Sequence, residues 1–142
     1  MIPNLDKEGL LPLGIHNCTL EELEKTFCQN YRRKILYNKL CELIKILKNI
    51  GCPAIYIDGS FCTSKLMPGD IDVLWDEGSG TNFLYEKQNA PEIFKKEFIK
   101  NKYEIDLFPA NVTENSSGKQ FLAFFQFTKD GNAKGILKID LF

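Results

Sequence analysis

The chain has 142 residues, of which 44% are hydrophobic, 12% aromatic and 26% charged, and its formal net charge is −1. That profile describes one soluble globular domain spanning 1–142 and excludes a disordered or fibrous chain. Lysine and arginine are interspersed with aspartate and glutamate, so composition gives no sign of a nucleic-acid binder or a membrane-surface protein beyond a local basic face. No stretch approaches the roughly 20 apolar residues of a membrane span, and the opening "MIPNLDKEGLLPLGIH" lacks a charged leader followed by a long apolar core. The expectation is a cytoplasmic protein without membrane contact. Cys18, Cys28, Cys41, Cys52 and Cys62 form no C-x-x-C pair, which fits reduced thiols, and with His16 as the single histidine a structural zinc site lacks its usual ligands.

The first segment is punctuated by Pro and Gly as far as Gly14. Thr19 with Glu22 three positions on forms a capping box, which predicts a short helix through about Phe27. A longer helix is predicted from about Asn30 to Ile50, because Ile35, Leu36, Leu40, Leu43, Ile44, Leu47 and Ile50 recur at three- and four-residue spacing. Arg32, Arg33, Lys34, Lys39, Lys45 and Lys48 fall mostly off that stripe and read as a solvated face. Gly51 and Pro53 end the helix.

"AIYID" then reads as a strand and "DIDVLWD" as a second, with Ile71, Val73 and Trp75 on one face and Asp70, Asp72 and Leu74 on the other. A third helix is predicted from Pro91 behind an Asn89 cap, burying Ile93, Phe94 and Phe98. "YEIDLF", from Tyr103 to Phe108, reads as a third strand closed by Pro109. "QFLAFFQFTKDGNAKGILKIDLF" reads as a hairpin about Asp130-Gly131-Asn132. The "FLAFFQF" part, apolar on both faces, is assigned to core; exposed, it would be the natural contact for a partner protein or a second copy of the chain. The fold class expected is α+β (mixed α/β), a mixed sheet flanked by helices.

Two aspartates inside an apolar strand carry the chemistry. A carboxylate taken from water into apolar surroundings needs a cation, a hydrogen-bond network or open water. Residues two apart in a strand point the same way, so Asp70 and Asp72 stand side by side as oxygen donors, the ligand type that hard Mg²⁺ prefers. On "YEIDLF", Asp106 lies between Ile105 and Leu107 with Glu104 on its face, and it joins the pair if the two strands are neighbours. Three carboxylates can hold two Mg²⁺ or Mn²⁺ ions roughly 4 Å apart, one acidifying an attacking hydroxyl and the other neutralising a leaving phosphate.

Gly59 and Ser60 directly follow the first strand, where a residue without Cβ lets backbone approach a ligand and a hydroxyl can donate to a phosphate oxygen. In the loop between Ser60 and Asp70, Lys65 is a candidate cation for a β- or γ-phosphate. Asp58 is assigned to a cap or turn, Cys62 and His16 to packing, and Glu104 either to the surroundings of the site or to an exposed strand end.

The series strand-Gly-Ser, nine residues, Asp-Ile-Asp, then Ile-Asp-Leu on a later strand resembles the DNA polymerase beta-like nucleotidyltransferase superfamily over roughly Ile55 to Phe108. The ends, "IPNLDKEGLLPLGIHNCTLEELEKTF" and "FFQFTKDGNAKGILKIDL", look like those of a small uncharacterised bacterial family of nucleotidyltransferase-like proteins. The resemblance implies that Asp70 and Asp72 bind both metals, Asp106 the metal that activates the acceptor hydroxyl, and Gly59 and Ser60 the triphosphate. It implies transfer of a nucleoside monophosphate from an NTP to RNA, a protein or a small molecule. Minimal members of that superfamily include toxin–antitoxin and defence components. Many others add a helical substrate-recognition domain, for which 142 residues leave no room. A catalytically idle nucleotide- or partner-binding module on the same fold is the alternative, and a structural Ca²⁺ or Mg²⁺ site is a third.

Overall fold

The computed structural model describes residues 1–77 and 91–142. In chain order these form β1 (Gly14–Asn17), α1 (Leu20–Phe27), α2 (Tyr31–Asn49), β2 (Ala54–Asp58), a 3₁₀ turn (Ser60–Cys62), β3 (Ile71–Trp75), a second 3₁₀ turn (Pro91–Phe94), α3 (Lys96–Tyr103), β4 (Ile105–Pro109), α4 (Phe121–Phe124) and β5 (Gly135–Asp140). The strands make one mixed sheet in the order β1-β5-β2-β3-β4, parallel at both edges and antiparallel where β2 meets β5 and β3. This is the mixed α/β architecture expected. No described helix is long and apolar enough to cross a membrane.

The two long-range faces of the sheet do different things. Ile55, Ile57, Ile71, Val73, Trp75, Ile105, Leu107, Leu137 and Ile139 alternate along their strands and pack with α1, α2 and α3 into the main core. Leu36, Leu40, Leu43 and Leu47 of α2 are fully buried against them, each contributing roughly 1.5–3 kcal/mol relative to exposure. On the opposite face Tyr56, Leu74 and Ile136 pack with Ala110, Phe108, Phe121 and Phe125 into a smaller cluster. That second cluster covers only part of its face, and the remainder carries aspartates.

The α1 capping box forms as the sequence implies, and α2 begins on a side-chain cap at Asn30, where the sequence places the start of the helix. Thr19 Oγ1 accepts from the Glu22 amide at 3.1 Å while Glu22 accepts from the Thr19 amide at 3.3 Å. Asn30 Oδ1 accepts from the Arg33 amide at 2.9 Å and so starts α2.

Several elements differ from the sequence expectation. The strand β1 has four residues, too short for its alternation to be read, and it exists because β5 offers a parallel partner at the sheet edge. The segment 121–127 is the short helix α4 (Phe121–Phe124), a turn and a single bridge from Phe127 to Ala133, not the first arm of a hairpin. Phe121 and Phe125, one helical turn apart, gather on Phe108 with ring centroids at 5.0 and 4.9 Å, but Phe124 and Phe127 are exposed and no residue of the segment is fully buried, so it is not the core strand expected. The turn at Gly131 does form, with φ +84°, but β5 beyond it pairs with β1 and β2. Pro91 opens a 3₁₀ turn and the α-helix restarts at Lys96, so its phase places Ile99 and Tyr103 inside and leaves Phe98 46% exposed. Asn89 and the Phe94 side chain lie outside the described residues. Tyr103 ends α3 rather than opening β4.

Arg33 is not on a solvated face. It is 3% exposed, and its guanidinium donates to the carbonyls of Phe27 (3.2 Å), Phe61 (2.6 Å), Thr63 (2.7 Å) and Lys65. Arg32 donates to the carbonyls of Pro68 at 3.0 Å and Gly69 at 2.6 Å, and Asn30 Nδ2 to that of Leu66 at 2.7 Å. The start of α2 therefore holds the loop that joins Gly59 to Asp70. Replacing Arg33 by Met strands buried carbonyls, each unsatisfied group costing about 1–3 kcal/mol. Arg33→Met is expected to lower unfolding free energy by about 2–4 kcal/mol, read as a lower urea midpoint at unchanged slope; a shift of the midpoint no larger than that of an exposed Lys34→Met control would contradict this role.

Candidate metal and nucleotide site

Strand register builds the site. Asp58 lies directly opposite Asp72 in the antiparallel β2–β3 pair, and Asp72 directly opposite Asp106 in the parallel β3–β4 pair. Directly opposed residues share a face, so three aspartates stand in one row across three adjacent strands. Asp70, two residues before Asp72, adds a fourth carboxylate. Oxygens of Asp70, Asp72 and Asp106 lie within 4.8 Å of one another, and all three residues are part-buried. The structure thus brings together the three aspartates singled out in the sequence.

Gly59 shows why the turn needs its glycine. Its φ is +85°, and a Cβ there would stand 2.9 Å from Asp72 Oδ2 and 3.1 Å from its Cγ. The backbone after β2 therefore runs against the Asp72 carboxylate. Ser60 follows in the 3₁₀ turn, its carbonyl accepting from the Thr63 hydroxyl at 2.7 Å. Gly59 lines a cavity of about 200 Å³ with Asp58, Thr63, Thr128 and Lys134. Lys65 is elsewhere: exposed on the loop, it lines a different cavity with Phe27, Asn30 and Arg33.

Three residues of the site were not identified from sequence. Asp58, assigned to a cap or turn, is 3% exposed and forms an ion pair with Lys134; its Oδ2 is sealed from solvent and has no hydrogen-bond partner among the described residues. Lys100 of α3 donates to Asp70 and, at 2.9 Å, to Asp106. Asp58 shares Asp72's face only through strand pairing, and Lys134 and Lys100 reach the row from a loop and a helix, so no local motif marks them. Glu104 is not on this face. It adopts a left-handed conformation at the end of α3, φ 55°, and its carboxylate pairs with Arg32 and, at 3.0 Å, Lys39.

The electrostatics follow from burial and like charge. Burial, then the neighbouring Asp70, Asp58 and Asp106, push the Asp72 carboxyl up to about 7, with Lys134 opposing. Burial also raises Asp58, and Lys134 again opposes. Burial pulls the Lys100 ammonium down, but its bonds to Asp70 and Asp106 outweigh this and hold it above its ordinary value. Cys62, beside the turn, is buried and its thiol is pushed well above the ordinary range, which fits packing rather than reactivity. His16 Nε2 donates to the Pro12 carbonyl at 2.7 Å, a loop-packing contact.

The arrangement fits a divalent cation. All donors are carboxylate oxygens, the hard ligands of Mg²⁺ and Mn²⁺. A lysine ammonium already bridges two of them, and the carboxyl between the two lysines is left with its charge disfavoured.

A family model described as "Family of unknown function (DUF6932)" matches residues 3–140. The chain belongs to this family. No curated protein and no solved structure matches it. The carboxylate row, the Gly59 turn and both lysines all fall inside the matched DUF6932 region.

Because the folded protein keeps the Asp72 proton up to about pH 7 while an unfolded chain releases it near its ordinary 3.8, the folded state binds more protons between those values. Without metal, stability should fall as pH rises through that window. Asp72→Asn should flatten this dependence and melt higher than wild type above about pH 7. Added Mg²⁺ should raise the wild-type melting temperature there, and less so as the pH falls and the site protonates. A melting temperature indifferent to Mg²⁺ at every pH would contradict the site.

Proposed function

We propose that the protein is a metal-dependent nucleotidyltransferase that moves a nucleoside monophosphate from an NTP to a hydroxyl. The observation that carries this reading is the clustering of Asp70, Asp72 and Asp106 within 4.8 Å, one residue row from a glycine turn that leaves its backbone against Asp72. It extends the superfamily resemblance of the sequence, in which the same positions carry the reaction. Asp70, Asp72 and Asp106 would hold one or two Mg²⁺ or Mn²⁺ ions, which when bound supply charge neutralisation for the phosphates and a lowered pKa for the acceptor hydroxyl.

The chain's own residues account for the other demands. In the reaction the acceptor oxygen bonds to the α-phosphorus, the bond from phosphorus to the bridging oxygen breaks, pyrophosphate leaves and the hydroxyl proton passes to solvent. Gly59 and Ser60 expose backbone and a hydroxyl to the triphosphate. Lys134, half sheltered and fixed on buried Asp58, offers a positive charge at the cavity beside Gly59. The acceptor class proposed is RNA, a protein hydroxyl or a small molecule.

One observation favours a second reading. Lys100 spans Asp70 and Asp106, partly neutralising the ligands as in a nucleotide-binding module that has no need of metal. Incubation of the purified protein with each labelled NTP, Mg²⁺ or Mn²⁺ and cell extract separates the two. The enzyme reading expects label on RNA, protein or a small molecule with wild type, reduced at least a hundredfold in Asp72→Ala and Asp106→Asn. Nucleotide binding without transfer from any NTP would favour the idle module.

A further inference from the structure

On the aspartate face, beside Asp58 and Asp72, the segment after Ser117 encloses a cavity of about 640 Å³. Its apolar wall is Phe124, Phe125 and Phe127, and its charged lining is Lys119, Lys129 and Lys134 together with Asp58, which pairs with Lys134, and Asp72. The size is that of sites that enclose a nucleotide-sized ligand. It meets the smaller cavity beside Gly59 at Asp58, Thr128 and Lys134, which line both.

Two of the phenylalanines are not buried as core side chains are. Phe124 is 37% and Phe127 40% exposed, although Phe121 and Phe125 next to them close over Phe108. Lys119 rests its ammonium 3.9 Å from the centre of the Phe127 ring, so a base stacks on Phe127 either on the ring's other face or by displacing that flexible lysine toward the phosphates. Aromatic faces open to a cavity and rimmed by three lysines suit a ligand that is planar at one end and polyanionic at the other. A fatty or peptide ligand would use the phenylalanines but leave the lysines unmatched, and a bare polyphosphate the reverse.

We infer that this cavity receives the base of the nucleoside triphosphate, stacked on Phe127 and Phe124, while Lys134 directs the phosphates toward Gly59 and the carboxylate row. The inference rests on the nucleotidyltransferase reading of the same site and adds to it the residues that hold the nucleoside. Stacking on a ring face accepts any base, so all four NTPs should bind, with modest differences between them.

Binding of ATP and of inorganic tripolyphosphate to the full-length protein with Mg²⁺, by calorimetry, tests it. Wild type should bind ATP more tightly than tripolyphosphate. Phe127→Ala, at a partly exposed position outside both cores, should weaken ATP about five- to hundredfold, the range of a lost base stack, and leave tripolyphosphate unchanged; Phe127→Trp should keep ATP affinity. Equal binding of ATP and tripolyphosphate, both indifferent to Phe127→Ala, would overturn the base pocket while leaving the metal-triphosphate site standing. Binding of neither would overturn both.

Discussion

Negative charge set in register is the constraint on which the structure turns. Asp58, Asp72 and Asp106 oppose one another across β2, β3 and β4, and like charges directly opposite destabilise a sheet. The chain answers with a cation at each end of the row, Lys134 on Asp58 and Lys100 on Asp106 and Asp70. Asp72, in the middle, forms no ion pair among the described residues and is the member whose carboxyl is pushed up to about 7. A sheet optimised only for stability would place apolar residues here, as it does on its other face. Keeping four carboxylates on one rim makes sense where a stronger cation completes the set.

The rest of the fold isolates that rim from the work of holding the chain together. One face of the sheet carries the main core under α1, α2 and α3. The other is divided between a phenylalanine cluster and the acidic row. Two consecutive arginines of α2 fasten the loop between Gly59 and Asp70 from behind, Arg33 through buried carbonyls and Arg32 through Pro68 and Gly69. The aspartates at both ends of that loop are thus positioned by α2, though α2 contributes nothing to the row itself. Glu104, tied to Arg32 and Lys39, fixes the junction from which β4 presents Asp106.

Local signals in the sequence were enough for much of this. The capping box at Thr19, the stripe of α2 and the alternation of β2, β3 and β4 each depend on neighbours a few positions away, and the structure forms those elements, with β4 starting two residues later than its alternation implies. Asp70, Asp72 and Asp106 were legible for the same reason: a charge in an apolar run is conspicuous. What was hidden depends on partners far along the chain. The strand β1 is defined by β5, the role of Asp58 by its opposition to Asp72, and Lys100 and Lys134 by the fold bringing them to the row. The aromatic run 121–127 misled because phenylalanines suit a strand as well as a helix, and only the exposed Phe108 face gave them a place to cluster. Arg33 looked like one more surface charge because nothing local marks carbonyls from a distant loop.

The central claim is that the carboxylate row is a divalent-cation site. Crystals soaked in Mn²⁺ and measured for anomalous scattering test it most directly. The account predicts a peak among Asp70, Asp72 and Asp106, with the Lys100 ammonium moved away from Asp70 and Asp106, and no peak in Asp72→Asn. A row that stays free of Mn²⁺ at saturating metal, with Lys100 still spanning the two carboxylates, would contradict it.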